Sequence, residues 1–169
     1  ECVMEVQNKK LVVGFFSFTC CEGCTILISE LLNDHFDTWK KLVEFRHFKT
    51  LKSKNELRDL DVAFVEGAIS SPDQEEELKK IRANCKKLVA YGSCAVTGLP
   101  SASRNQIPEE KYSQKMGWYF NNPNFRYNKQ VQKLDDLVTV DAKVPGCPMN
   151  AQLFIQAVEA MLKEFGIIE

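Results

Sequence analysis

Leu11-Val12-Val13-Gly14-Phe15-Phe16-Ser17-Phe18 runs directly into Thr19-Cys20-Cys21-Glu22-Gly23-Cys24. An unbroken apolar run rich in Val and Phe reads as a strand buried on both faces, as in a parallel sheet. The loop after it puts three thiols within five residues. Two more cysteines also follow apolar runs. Cys94 ends Tyr91-Gly92-Ser93-Cys94, and Cys147 sits in Val144-Pro145-Gly146-Cys147-Pro148.

Outward from this loop, Ile28, Leu31, Leu32 and Phe36 recur at helical spacing, which predicts a helix over 24–35. Residues 42–48 alternate Val43 and Phe45 with Glu44 and Arg46, the pattern of a half-exposed edge strand. A short helix is expected over 55–60. Asp61-Val62-Ala63-Phe64-Val65 is a second buried strand, ending at Glu66-Gly67. Ser70-Ser71-Pro72 caps a helix over 73–85, with acids in its first turn. Leu88-Val89-Ala90-Tyr91 is a third buried strand, and 137–144 the last. A closing helix over 149–165 carries Leu153, Phe154, Ala157, Val158, Met161, Leu162 and Phe165 on one stripe.

Strands alternating with helices predict an α/β fold, a flavodoxin-like doubly wound parallel sheet of order 2-1-3-4-5. Residues 1–169 are expected to form one domain. An insertion over about 97–136 is aromatic and poorly periodic: Trp118, Tyr119, Phe120, Phe125 and Tyr127 sit among Asn, Gly and Pro. It reads equally as a surface excursion or as a partner-docking surface.

Composition narrows the classes. Of 169 residues, 44% are hydrophobic and 27% charged, and the net charge is −1. That describes a globular chain with no basic stripe for nucleic acid. No apolar run is long enough for a membrane span, and no secretory or twin-arginine leader is expected. The sequence opens at Glu1 rather than Met, which leaves open whether residues precede it. Seven cysteines in a chain able to build its own core indicate metal or redox chemistry in a reducing cytoplasm rather than a disulfide scaffold.

In such a sheet, ligands sit beyond the carboxyl ends of the strands. The cysteine loop, Glu66-Gly67, Gly92-Ser93-Cys94 and Gly146-Cys147 each follow a predicted strand, so one topology gathers them on one edge. Iron-sulfur clusters are held by thiolates, usually four. Cys21 and Cys24 form a C-x-x-C pair; with Cys94 and Cys147 they make the candidate metal-ligand set. Gly23 frees the turn between the paired thiols, and Gly92 and Gly146 admit backbone close to the cluster. Glu66 is expected to face the site, to tune it, relay protons or anchor a partner. Structural zinc would favour two paired knuckles over one pair and two single thiols. The plain alternative is that Cys94 and Cys147 are small buried apolar residues. Cys2 and Cys85 read as incidental, Cys20 as a neighbour of the site, and His35 and His47 as surface residues.

Cys21-Glu22-Gly23-Cys24, Val65-Glu66-Gly67, Gly92-Ser93-Cys94 and Pro145-Gly146-Cys147-Pro148 together resemble the small subunit of cytoplasmic nickel-iron hydrogenases, over about residues 11–165. The resemblance implies that Cys21, Cys24, Cys94 and Cys147 hold one proximal 4Fe-4S cluster beside a nickel-iron centre in a large partner subunit. It also implies a flavin/NAD(P) or ferredoxin-like acceptor subunit. Two features depart from the family pattern. Met149 stands where a second Pro often follows the last ligand, and no further cysteine-rich set precedes Glu169. A single cluster would then pass electrons to another subunit. The Cys20-Cys21 tandem also resembles the homologous 20 kDa-type cluster subunit of complex I, a quinone reductase; Cys24, which that pattern does not need, favours the hydrogenase. A zinc-stabilised binding module is the third reading.

Overall fold

The ends of four strands stand level with one another. The partners Ser17↔Glu66, Glu66↔Tyr91 and Tyr91↔Val144 cross the sheet in one line, so whatever follows each strand emerges at the same edge. The computed structural model describes residues 9–169. Its elements are β1 (Leu11–Ser17), α1 (Gly23–Leu42), β2 (Val43–Phe48), β3 (Leu60–Glu66), α2 (Pro72–Ala83), β4 (Cys85–Tyr91), α3 (Gly92–Thr97), α4 (Glu109–Asn121), β5 (Ala142–Val144) and α5 (Ala151–Glu164), with 3-10 turns at Ser101–Gln106 and Leu134–Asp136. All strand pairs are parallel and the order is β2-β1-β3-β4-β5. This is the flavodoxin-like order expected from the alternation of strands and helices.

The unbroken apolar runs are explained by burial on both sheet faces. Phe15, Val62, Phe64, Val89 and Tyr91 point to the side covered by α1 and α5, where Ile28, Trp39, Phe154 and Val158 meet them. Phe16, Ala63, Val65, Leu88 and Ala90 point to the other side, against Leu78 and Ile81 of α2 and Leu134. The Phe15 and Phe64 rings stack 4.9 Å apart, and Phe154 lies 5.4 Å from Phe64. Ser71 caps α2 as expected, accepting from Gln74 N, with Pro72 in the first turn.

The structure corrects several element readings. The first helix runs on to Leu42 because Trp39, and not Phe36, takes the next core position. Trp39 is buried and stacks on His35, while Phe36 is 53% exposed. No helix forms over 55–60. Asn55 is drawn to β2 by accepting from Phe48 N, Arg46 holds the carbonyls of Arg58 and Asp59, and Asp59 adopts a left-handed φ of 49°. Cys85 opens β4 instead of closing α2. Only Ala142–Val144 of the last apolar run pairs, because Val138 and Val140 pack on the α2 side before the chain reaches β4. Asn150 caps α5 by accepting from Leu153 N, and Leu153 is exposed, off the core stripe. The insertion is aromatic as expected, and it also carries the thirteen-residue helix α4. His47 is not a surface residue. It is 8% exposed, stacked on Phe16, with Nδ1 3.0 Å from Phe15 O. A carbonyl only accepts, so Nδ1 carries the proton of the neutral ring. Cys2 lies outside the described residues.

Candidate functional site

A cavity of about 220 Å³ opens at the carboxyl edge of the sheet, lined by Cys21, Gly23, Cys24, Glu66, Gly92, Ser93, Cys94, Gly146, Cys147 and Pro148. Every residue singled out from the sequence for this site is on its wall. The four thiols come from three segments: the β1–α1 loop with the first turn of α1, α3, and the loop after β5. Cys24 and Cys94 are buried at 6% and 9% exposure, while Cys21 and Cys147 are exposed at the mouth.

The three segments are tied to one another. Ser93 N donates to Gly146 O at 2.7 Å, joining the Cys94 and Cys147 loops. Met149 N donates to Cys24 Sγ at 3.3 Å, joining the Cys147 loop to α1. A proline at 149 would have no N–H to offer, so this hydrogen bond depends on a residue other than proline there. Gly92 adopts φ +80°, and a Cβ there would stand 2.8 Å from Cys24 Sγ. Gly146 adopts φ +122°, and its Cβ would stand 2.6 Å from Pro148 O. Both glycines are thus required by conformation and by space. In the C-x-x-C turn the left-handed residue is Glu22, at φ 59°, and not Gly23. Gly23 instead leaves room beside Cys21, whose Sγ would lie 3.3 Å from an added Cβ.

Glu66 has a defined task. The residue preceding α1, Glu22, makes no side-chain bond to the helix, leaving its first amides without a local cap. Glu66 reaches them from β3. Its Oε1 accepts from Cys24 N at 3.3 Å, and its Oε2 from Thr25 N at 3.1 Å and Thr25 Oγ1 at 2.7 Å. It is 2% exposed. With its one hydrogen given to Glu66, Thr25 Oγ1 accepts from Tyr91 OH, 3.1 Å away. A carboxylate at a helix N-terminus is favoured by the helix dipole; here it also fixes the turn that carries Cys24. The sequence assigns Thr25 and Tyr91 no task at the site, and marks Met149 only as a departure from the family pattern. Thr25 and Tyr91 read there as helix and strand residues, and nothing in spacing reveals a capping contact 41 residues apart in the chain.

Burial pushes the Cys24 thiol up to about 12, reinforced by the Glu66 charge and opposed by the Met149 amide. Burial likewise pushes Cys20 up to about 11. Cys20 is not on the cavity wall. Its Sγ is 3.3 Å from Ser17 Oγ and accepts from Glu22 N at 3.4 Å. Cys85 lies away from the site, with Arg82 beside it.

The donor set and the cradle fit an iron-sulfur cluster. All four candidate donors are sulfur, the ligand type that holds 4Fe-4S clusters. The space among them is kept open by glycines whose Cβ atoms would crowd it or its loop. The thiols surround a cavity instead of meeting at a point. Among the described residues, no three His, Cys, Asp or Glu side chains are grouped so as to hold a single metal ion.

Residues 21–161 match the model of the family described as the NADH ubiquinone oxidoreductase 20 Kd subunit. The chain belongs to this 20 Kd subunit family. It is 28% identical over 156 residues to the gamma subunit of the coenzyme F420 hydrogenase of Methanosarcina barkeri, covering 87% of this chain and 52% of the relative. It is 25% identical over 169 residues to the delta subunit of the NAD-reducing hydrogenase HoxS of Cupriavidus necator, covering 92% of this chain and 80% of the relative. The chain spans about half the length of several curated relatives it matches. A chain of an NAD+-reducing [NiFe]-hydrogenase in the H2-reduced state has the same fold, with a TM-score of 0.80 at 24% identity over 92% of this chain and 93% of that one. Among the described residues, no helix is long and apolar enough to cross a membrane.

Proposed function

We propose that this 20 Kd-family chain is the electron-transfer small subunit of a cytoplasmic nickel-iron hydrogenase, residues 1–169 acting as one iron-sulfur domain. One 4Fe-4S cluster would be held by Cys21, Cys24, Cys94 and Cys147, with Glu66, Gly23, Gly92 and Gly146 shaping the seat. When bound, the cluster supplies one-electron storage at the sheet edge. The chain's own residues do the rest. Glu66 caps the turn bearing Cys24, the Ser93–Gly146 bond joins two of the loops, and the exposed thiols Cys21 and Cys147 leave the mouth open to a partner. The nickel-iron centre belongs to that partner, a large subunit. A flavin/NAD(P) or ferredoxin-like subunit takes the electrons.

One observation carries the reading: Cys24 is on the wall of the four-thiol cavity, and Cys20 is not. This favours a ring built on the C-x-x-C pair over the Cys20-Cys21 tandem that a quinone-reductase subunit would use. Relatives named as hydrogenase subunits support it. One C-x-x-C pair joined by two single thiols favours a cluster over zinc, which prefers two paired knuckles. The test is purification of the native complex, metal analysis and dye reduction. Nickel in proportion to cluster and hydrogen-dependent reduction of a viologen are expected. A nickel-free complex that takes up no hydrogen and passes electrons to a quinone would establish the complex I-like alternative instead.

A further inference from the structure

The insertion meets the cysteine site beside Cys94. Cys94 packs with Ala68, Val131, Cys20 and Ala102. Ser101 Oγ, in the first 3-10 turn, is 3.7 Å from Cys94 Sγ and 3.3 Å from Thr19 O. Arg104 of the same turn donates to Asn128 O and lies over the Phe120 ring of α4, 5.5 Å from its centroid. One turn thus connects Cys94 to α4. A cavity of about 390 Å³ is lined by Thr19, Ser70 and Ser101 together with Met116, Tyr119 and Tyr127.

The outer side of α4 is unusual. Lys111, Gln114, Lys115 and Trp118 follow at i, i+3, i+4 and i+7, so they share one stripe. All four are exposed, Trp118 by 66%. Trp118 is held edge-on to Tyr119 at 4.9 Å and tilted against Phe125 at 6.2 Å. Beside the helix a groove of about 660 Å³ is lined by Arg104, Ile107, Lys111, Gln114, Lys115 and Met116, with no carboxylate among them. Of the nearby acids, Glu109 pairs with Lys129 and Asp73 with Arg126, while the exposed Glu110 lies outside the groove lining. Neither Lys111 nor Lys115 pairs with a carboxylate among the described residues.

We propose that this face of α4 docks the acidic surface of a second electron-carrying polypeptide, the acceptor of the proposed hydrogenase. The inference rests on that functional reading and deepens it. Charge decides the occupant. A groove with three cations and no acid repels a basic surface and steers an acidic one. A pre-ordered Trp with flanking aromatics supplies the anchor such interfaces use. Position decides the role. Cys21 and Cys147 are exposed for the nickel-bearing subunit, while the turn beside Cys94 leads to α4.

The test uses the native complex. Zero-length carbodiimide cross-linking joins only ion-paired lysines and carboxylates, and mass spectrometry identifies the partners. Lys111 or Lys115 joined to an Asp or Glu of a nickel-free polypeptide is the expected result. Joining to the nickel-bearing subunit or to a second copy of this chain overturns the proposal, as does full acetylation of both lysines in the intact complex. In addition, the Lys111→Glu/Lys115→Glu variant should bind that polypeptide about tenfold more weakly at low salt, the low end of electrostatic steering. Unchanged affinity, with no dependence on ionic strength, also overturns it. Hydrogen-dependent viologen reduction is scored separately on the same preparation. Its absence refutes the hydrogenase reading, whereas the cross-links judge the α4 face.

Discussion

Replacing Glu66 by Gln separates its capping role from mere packing, because the two side chains have nearly the same shape. Glu66 accepts three hydrogen bonds across both carboxylate oxygens while 2% exposed. Gln keeps one acceptor oxygen and turns an NH2 group toward a backbone N–H. At least one bond is lost, and the others weaken from charged to neutral. Bonds to charged groups contribute about 1.5–3 kcal/mol each and neutral ones about 1, so Glu66→Gln should cost roughly 3 kcal/mol. The loss should be local, since the affected amides are those of Cys24 and Thr25 in the first turn of α1. Urea unfolding of the purified chain measures the total. Amide hydrogen exchange shows where it falls, with Cys24 and Thr25 losing protection first. A midpoint within experimental error of the parent, or exchange unchanged at both amides, would refute the capping argument. Glu66 would then be a cavity wall with no structural task.

Three further outcomes follow from the same geometry. Ser substitution at Cys21, Cys24, Cys94 or Cys147 should lower bound iron and the visible chromophore, while Cys20→Ser and Cys85→Ser should keep both; loss of the chromophore in Cys20→Ser with retention in Cys24→Ser would restore the tandem reading. Met149→Pro removes the N–H donated to Cys24 Sγ, and hydrogen bonds to sulfur raise cluster potentials, so an EPR-monitored titration should find a more negative midpoint; an unmoved midpoint contradicts the role given to this amide. Burial lowers the pKa of His47 below its ordinary 6.5, so the folded state resists the proton that the unfolded chain accepts. His47 therefore contributes stability above that ordinary value that is lost as pH falls through the folded-state value, and His47→Gln should flatten this acid limb of the urea midpoint; an equally steep limb in the variant would locate the dependence elsewhere.

The sequence by itself determined the sheet and its active edge. Runs such as Asp61-Val62-Ala63-Phe64-Val65 can be buried on both faces only in a covered parallel sheet, and each candidate thiol follows such a run closely. Parallel strands all end on one side, so Cys24, Cys94 and Cys147 had to meet. Element ends were less legible, because they depend on which neighbour wins a contact. Trp39 extended α1 by packing near Phe154, and Asn55 gave its side chain to β2 instead of starting a helix. The partners of Glu66, the place of Cys20 off the cavity wall and the exposed stripe of α4 were decided only by tertiary structure. Each rests on contacts between residues far apart in the chain or on which side of a turn faces the body. Spacing along the sequence is silent about both, since a hydrogen bond such as Thr25 N to Glu66 forms only after β3 has paired beside β1.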